Sequence, residues 1–255
     1  MKITILTLFP EMFDGFLTNS IIKRAIAKGV VSISLVNIRD YTTDKYNRVD
    51  NYPIGGGAGL VMKAQPIVDA IRATKTDQSH VIMLSPRGKT YNQKKAHELL
   101  SQEDLTILCG HYEGIDERVN KYVDEQISIG DYILTGGEIG AMAISDSVIR
   151  LLDGAIADES TLEESFENGL LEYPQYTEPY DFEGDTVPDI LYSGNHEAIR
   201  KWRQKQSLYL TRELRFDLFE KYTLSKEDLK LLEEAKENAS WELAAIKKGK
   251  KFIKK

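Results

Sequence analysis

Residues 108–138 hold the chain's densest set of groups suited to gripping a small molecule. They include Leu108-Cys109-Gly110-His111-Tyr112-Glu113-Gly114 and, further on, Ser128-Ile129-Gly130-Asp131-Tyr132-Ile133-Leu134-Thr135-Gly136-Gly137-Glu138. Glycines at such positions mark a backbone that turns sharply or lets a ligand come close. In an α/β protein, ligands gather outside the carboxyl ends of the strands. Two glycine-rich loops in succession therefore point to a pocket built mainly from main-chain groups.

Familiar nucleotide motifs do not account for these glycines. A dinucleotide fold places Gly-x-Gly-x-x-Gly directly after its first strand, whereas this chain has Leu8-Phe9-Pro10-Glu11-Met12 there. A phosphate loop ending at Gly88-Lys89-Thr90 needs a glycine where Met83 stands. Cys109 follows an apolar run and reads as a small core residue rather than a nucleophile. His111 has no second His or Cys at metal-ligand spacing. Glu113, Asp116 and Glu117 suit either a hard cation such as magnesium or a solvated acidic helix start.

Three other segments carry open alternatives. Gly55-Gly56-Gly57-Ala58-Gly59 is either a flexible surface loop or, tethered by Leu60, Val61 and Met62, a wall for a flat ligand or RNA. Arg150 ends an apolar helix, as a dipole partner or as a functional cation. Glu163-Glu164-Ser165-Phe166 is a solvated acidic run or a carboxylate pair presented by a loop.

The elements that must position these groups alternate along the first 150 residues. Strand-like runs fall at 3–8, 31–37, 81–85, 105–110 and 125–129, and helical patterns at 12–28, 66–74, 93–100, 116–122 and 139–152. Gly29 stands where a helix C-cap glycine belongs. Such alternation predicts an α/β fold, a mostly parallel sheet with helices on both faces. Residues 153–194 lack helical periodicity and read as a linker or long functional loop. A small helical C-terminal domain follows, with a helix from Asn195 and another capped by Ser225 and Asp228. Leu224 and Leu229 are placed there as a hydrophobic staple, and Leu229, Leu232 and Ala235 as one apolar face.

The 255 residues carry a formal charge of −7 that is unevenly spread. Residues 151–194 hold 12 acids and no Lys or Arg, and residues 195–255 hold 16 Lys/Arg against 10 acids, ending in Lys247, Lys248, Lys250, Lys251, Lys254 and Lys255. That local basic patch keeps a polyanionic partner in play. The apolar runs are strand-sized, so no membrane span is expected. One cysteine and no leader pattern fit a cytoplasmic protein.

The ordered motifs resemble the bacterial tRNA (guanine-N1)-methyltransferases of the SPOUT superfamily. The matches run from Leu8-Phe9-Pro10-Glu11-Met12-Phe13 through Gly55-Gly56-Gly57, Leu84-Ser85-Pro86, Cys109-Gly110-His111-Tyr112-Glu113-Gly114 and Asp116-Glu117-Arg118. They continue over residues 128–138, Pro174-Gln175-Tyr176-Thr177 and Ser193-Gly194-Asn195-His196, nearly the whole chain. The resemblance implies S-adenosylmethionine as methyl donor and, as substrate, the guanosine just 3′ of the anticodon in tRNA. It also implies a trefoil knot and a homodimer with shared active sites. Its domains would be a methyltransferase domain over 1–160, an interdomain loop over 161–178 and a helical tRNA-binding domain over 179–255.

Carried over by motif, the cofactor residues are Leu84, Ser85, Pro86, Gly110, Tyr112, Glu113, Ile129, Gly130, Asp131, Tyr132, Ile133, Leu134, Gly136 and Gly137. The resemblance makes Arg150 the cation that stabilises charge on the base, and Glu164, from the opposite subunit, the general base. Glu113 matches the acid associated with magnesium. The chain departs from the family pattern at Glu164, where Asp is usual in a loop one residue longer, and at Glu178, Asp153 and Gly140, where Arg, Pro and Pro are usual. These departures leave two alternatives beside an active enzyme: a cofactor-retaining RNA-binding paralogue, and a methyltransferase acting on a different RNA base.

Overall fold

The computed structural model describes residues 1–156, 164–234 and 236–249. The chain divides into two compact units, Met1–Asp158 and Glu159–Lys255. In the first unit, strands β1 (Lys2–Thr7), β2 (Ser32–Asn37), β5 (Ser79–Thr90), β6 (Asp104–Leu108) and β7 (Glu125–Ser128) form a parallel sheet in the order β2-β1-β6-β5-β7. Strands β3 (Asp50–Asn51) and β4 (Val61–Met62) pair separately as an antiparallel hairpin. All five strands expected from the sequence are present.

Side-chain alternation explains why both sheet faces are covered. Ile3, Ile5, Ile82, Leu105, Ile107 and Ile127 pack with helices α2 (Ser20–Ala27), α4 (Gln93–Leu100) and α5 (Glu138–Ile149), through Ile22, Ala25, Ala96, Leu99, Ile144 and Val148. Leu6, Val81, Met83 and Leu108 pack with α3 (Ala64–Thr74) through Ile67, Val68 and Ile71. Each fully buried aliphatic side chain contributes roughly 1.5–3 kcal/mol, so β6, buried along its whole length, anchors the unit.

Three local departures have physical reasons. The single helix expected over 12–28 is a 3₁₀ turn (Pro10–Phe13), α1 (Asp14–Thr18) and α2, broken at Asn19, which is extended at φ −127° and ψ 161°. Asn19 Nδ2 donates instead to Gly15 O at 2.9 Å, the local bonding by which Asn competes with a helix. Strand β5 continues past Ser85 to Thr90, with a register shift against β7 between Leu84 and Lys89. Residues Glu117–Tyr122 form a 3₁₀ rather than an α-helix. Gly29 closes α2 as expected, its N–H reaching Ile26 O and that of Val30 reaching Ala25 O, both at 3.0 Å, a Schellman pair.

The second unit contains α6 (His196–Leu214), α7 (Phe216–Phe219), α8 (Lys226–Glu233) and α9 (Ser240–Gly249). A short hairpin, β8 (Asp181–Phe182) with β9 (Asp185–Thr186), stands beside the helices expected there. Asn195 caps α6 by accepting from Ala198 N at 3.2 Å, and Ser225 and Asp228 make a reciprocal capping box on α8. The apolar face of α8 matches the expected one in part: Leu232 packs with Leu224 at the edge of the cluster, but Leu231, not Leu229, is buried in it with Leu170 and Leu208. Leu229 is half exposed, and Ala235 lies outside the described residues. Lys205, fully buried on α6, is paired to Glu242 on α9 at 2.5 Å. Lys247 and Lys248 sit in the last turn of α9; the rest of the basic tail lies outside the described residues. Among the described residues no helix is long and apolar enough to cross a membrane.

Candidate active site

The carboxyl ends of β5, β6 and β7 open into a cavity of about 490 Å³, within the roughly 300–1,000 Å³ usual for small-molecule sites. The loop after β6 and the loop between β7 and α5 are clasped main chain to main chain. Gly137 N donates to Gly110 O at 2.9 Å, and His111 bridges Gly136. The clasp needs a glycine: a Cβ on Gly137 would lie 2.8 Å from the Cα of Cys109 and 3.0 Å from Gly110 N. The local sequence thus dictates the geometry, since two backbones meet where no side chain fits.

Leu84, Ser85, Pro86, Gly110, Tyr112, Glu113, Ile129, Gly130, Tyr132, Ile133, Leu134, Gly136 and Gly137 all line this cavity. Asp131 does not; it lies in the same loop but is exposed and outside the wall. Tyr112 adopts φ +59°, a left-handed conformation that costs a non-glycine residue on the order of 1 kcal/mol. Its hydroxyl accepts a long hydrogen bond from Arg39 at 3.4 Å. The exposed apolar side chains of Ile133 and Leu134 and the ring of Tyr132 stand at the cavity's edge.

Two functional features were not singled out from the sequence. His111 lines the cavity, held edge-on to Phe9 (centroids 4.8 Å apart) and stacked on Tyr112 (5.1 Å), yet its buried Nδ1 has no hydrogen-bond partner. Buried polar atoms are nearly always satisfied, which sets this nitrogen apart from the other polar atoms around the cavity. Its signal was its place between Gly110 and Tyr112. Glu138 is the second feature, buried in the first turn of α5, where the helix dipole favours an anion. Its carboxylate accepts from Thr7 Oγ1 at 2.8 Å, which ties the end of β1 to the second loop. Burial, and then the nearby Glu138, push the Cys109 thiol well above its ordinary range. Cys109 is a core residue.

The remaining candidates are described within their own units. Arg150 is the half-buried C-cap of α5, its N–H bonded to Asp146 O at 3.0 Å, and does not line the cavity. Glu164 is half-buried in the second unit, where its carbonyl accepts from Glu167 N at 3.3 Å; Glu163 lies outside the described residues. Glu113 packs its side chain beside Gly59. Among the described residues no cluster of three or more His, Cys, Asp or Glu side chains could hold a metal ion.

The sequence is also similar to known proteins. Residues 1–221 match the family model described as tRNA (Guanine-1)-methyltransferase TrmD. The chain is 58% identical over 234 residues to a tRNA (guanine-N(1)-)-methyltransferase of Clostridium perfringens, covering 91% of this chain and 99% of that protein. A protein of the same name from Clostridium beijerinckii is also 58% identical, covering 91% and 98%. One from Clostridium botulinum is 56% identical over 236 residues, covering 92% and 98%.

Proposed function

The chain belongs to the tRNA (guanine-1)-methyltransferase family, and from that premise we propose that it transfers a methyl group from S-adenosylmethionine to N1 of the guanosine just 3′ of the anticodon in tRNA. The observation that carries this reading is the clasped, glycine-walled cavity at the strand ends. Its lining suits the cofactor: the backbone that the glycine-rich loops leave uncovered for adenine edges and ribose, and apolar Leu84 and Ile129 for the ring faces. When bound, the cofactor supplies a methyl on a positively charged sulfur, already strongly electrophilic.

The protein's own task is then to make the guanine nitrogen nucleophilic. Glu164 acts as the general base that takes the N1 proton. Arg150 stabilises the negative charge that develops on the neighbouring oxygen. No step is assigned to magnesium. The reading includes a homodimer in which Glu164 comes from the partner subunit, with the exposed apolar residues at the cavity edge as support. It also includes a trefoil knot, supported by the clasp of the two loops, and a cytoplasmic location with tRNA.

The test is to incubate pure protein with labelled S-adenosylmethionine, magnesium and unmodified tRNA, and map the methylated base. Methyl at guanine N1 beside the anticodon is expected. Tight cofactor binding without transfer would replace this reading with that of an RNA-binding paralogue, and a different methylated base would redirect the specificity.

A further inference from the structure

The hairpin β3–β4 presents an arrangement that the cofactor cavity does not use. Its connection carries Tyr52 and Ile54, 77% and 102% exposed, and Tyr46 lies just before it, 70% exposed. Scattered apolar residues are normal on a surface, but these three stand close in one segment and beside cations. Lys45 Nζ lies 5.7 Å and Arg48 Cζ 5.3 Å from the centre of the Tyr46 ring. Arg48 is already held by Asp44 at 3.0 Å, whereas no acidic partner of Lys45 occurs among the described residues. Gly55, Gly56 and Gly57 follow with φ of +97°, +85° and +132°, and a Cβ at Gly55 or Gly56 would meet nothing within 4 Å. The tip is open on its outer side.

The same hairpin is tied by its main chain to the cavity wall. Glu113 N donates to Leu60 O at 3.0 Å, Met62 N to Gly114 O at 2.9 Å, and Asp116 N to Met62 O at 3.0 Å. The Glu113 side chain lies so close to Gly59 that a Cβ there would be 2.4 Å from Glu113 Cγ. The returning strand of the hairpin is thus held against the loop that lines the cavity, which keeps the segment carrying the exposed rings near that wall.

We propose that Tyr46, Tyr52 and Ile54 form a stacking ledge for the unpaired bases flanking the target guanosine, with Lys45 as a phosphate partner. Single-stranded loops are recognised by stacking on aromatic side chains, and each such stack is sequence-tolerant because every base has a π-face. This inference rests on the proposed tRNA substrate. It is tested with the full-length protein by steady-state kinetics on unmodified tRNA and by calorimetric titration of S-adenosylmethionine. The double variant Tyr46→Ala/Tyr52→Ala is expected to raise KM for tRNA about tenfold to a hundredfold, with kcat and cofactor affinity unchanged. Tyr46→Phe/Tyr52→Phe is expected to keep the wild-type KM. Lys45→Ala is expected to flatten the salt dependence of binding by somewhat less than one unit of slope. An unchanged KM in the alanine variant would overturn the ledge, as would a parallel loss of cofactor affinity. Failure of the wild-type protein to methylate tRNA would instead overturn the substrate reading, and the ledge with it, before any variant is compared.

Discussion

The two units hold their parts together by opposite means. In the first, the cavity loops are fixed by main chain against main chain, Gly137 to Gly110 and His111 to Gly136, with side chains excluded from the contact. In the second, α6 and α9 are joined through a buried ion pair, Lys205 with Glu242, and α8 is started by the Ser225–Asp228 box. A main-chain clasp leaves little for a point substitution to tune, which suits the invariant cofactor proposed for the first unit. Side-chain contacts can be altered one at a time, which suits the RNA-binding role and the Glu164 base proposed for the second. Holding the donor and moving the methyl should therefore be separable.

The largest expected effect lies in the second unit. Lys205→Met leaves Glu242 buried without its cation and should cost about 3–5 kcal/mol of stability, read as a lower thermal midpoint. The double variant Lys205→Met/Glu242→Leu should recover most of that loss, since the remaining charge is gone; no recovery would mean that the pair does more than neutralise itself. Next, Arg150→Ala should lower kcat on the order of 100- to 1,000-fold, as removal of one group stabilising transition-state charge does, while calorimetric cofactor affinity stays at the wild-type level. A matching loss of cofactor affinity would move Arg150 into the binding machinery.

A smaller effect is expected at the sheet's far end. Burial would raise the Asp104 pKa, but hydrogen bonds from Lys2, Ser79 and Thr76 outweigh it and hold the carboxyl below its ordinary 3.8. A depressed value means this stabilisation is complete above the unfolded-state pKa and is lost as pH falls through the folded-state one. Asp104→Asn should cost about 1.5–3 kcal/mol near neutrality and flatten the acid limb of the stability–pH curve below about pH 4. An unchanged acid limb would rule out this account of Asp104. The smallest effect is at the proposed base: Glu164→Asp should leave methyl transfer unchanged or slightly raised, since either residue supplies a carboxylate.

Much of this architecture was legible in the sequence because apolar alternation is a direct record of burial. Residues 93–100 and the five strands follow from it, and the capping box follows from Ser225 and Asp228. Pattern could not see where a local side-chain bond wins, as at Asn19, nor which leucine of α8 turns inward, since Leu229 and Leu231 are equally apolar. The cavity was legible in part. Glycines at strand ends implied close backbone approach, and thirteen of the fourteen residues transferred by motif line one wall. His111 was passed over because it was weighed only as a metal ligand. The roles proposed for Arg150 and Glu164 rest on resemblance alone, because the spacing of two residues on different elements carries no chemistry of its own.

The separation of holding from transfer is tested most directly in Glu164→Gln. One preparation is titrated calorimetrically with S-adenosylmethionine and assayed for methyl transfer to unmodified tRNA. The account expects wild-type cofactor affinity together with a fall in transfer of about 100- to 10,000-fold, the usual weight of a general base. Transfer at the wild-type rate, or affinity and transfer falling together, would contradict it.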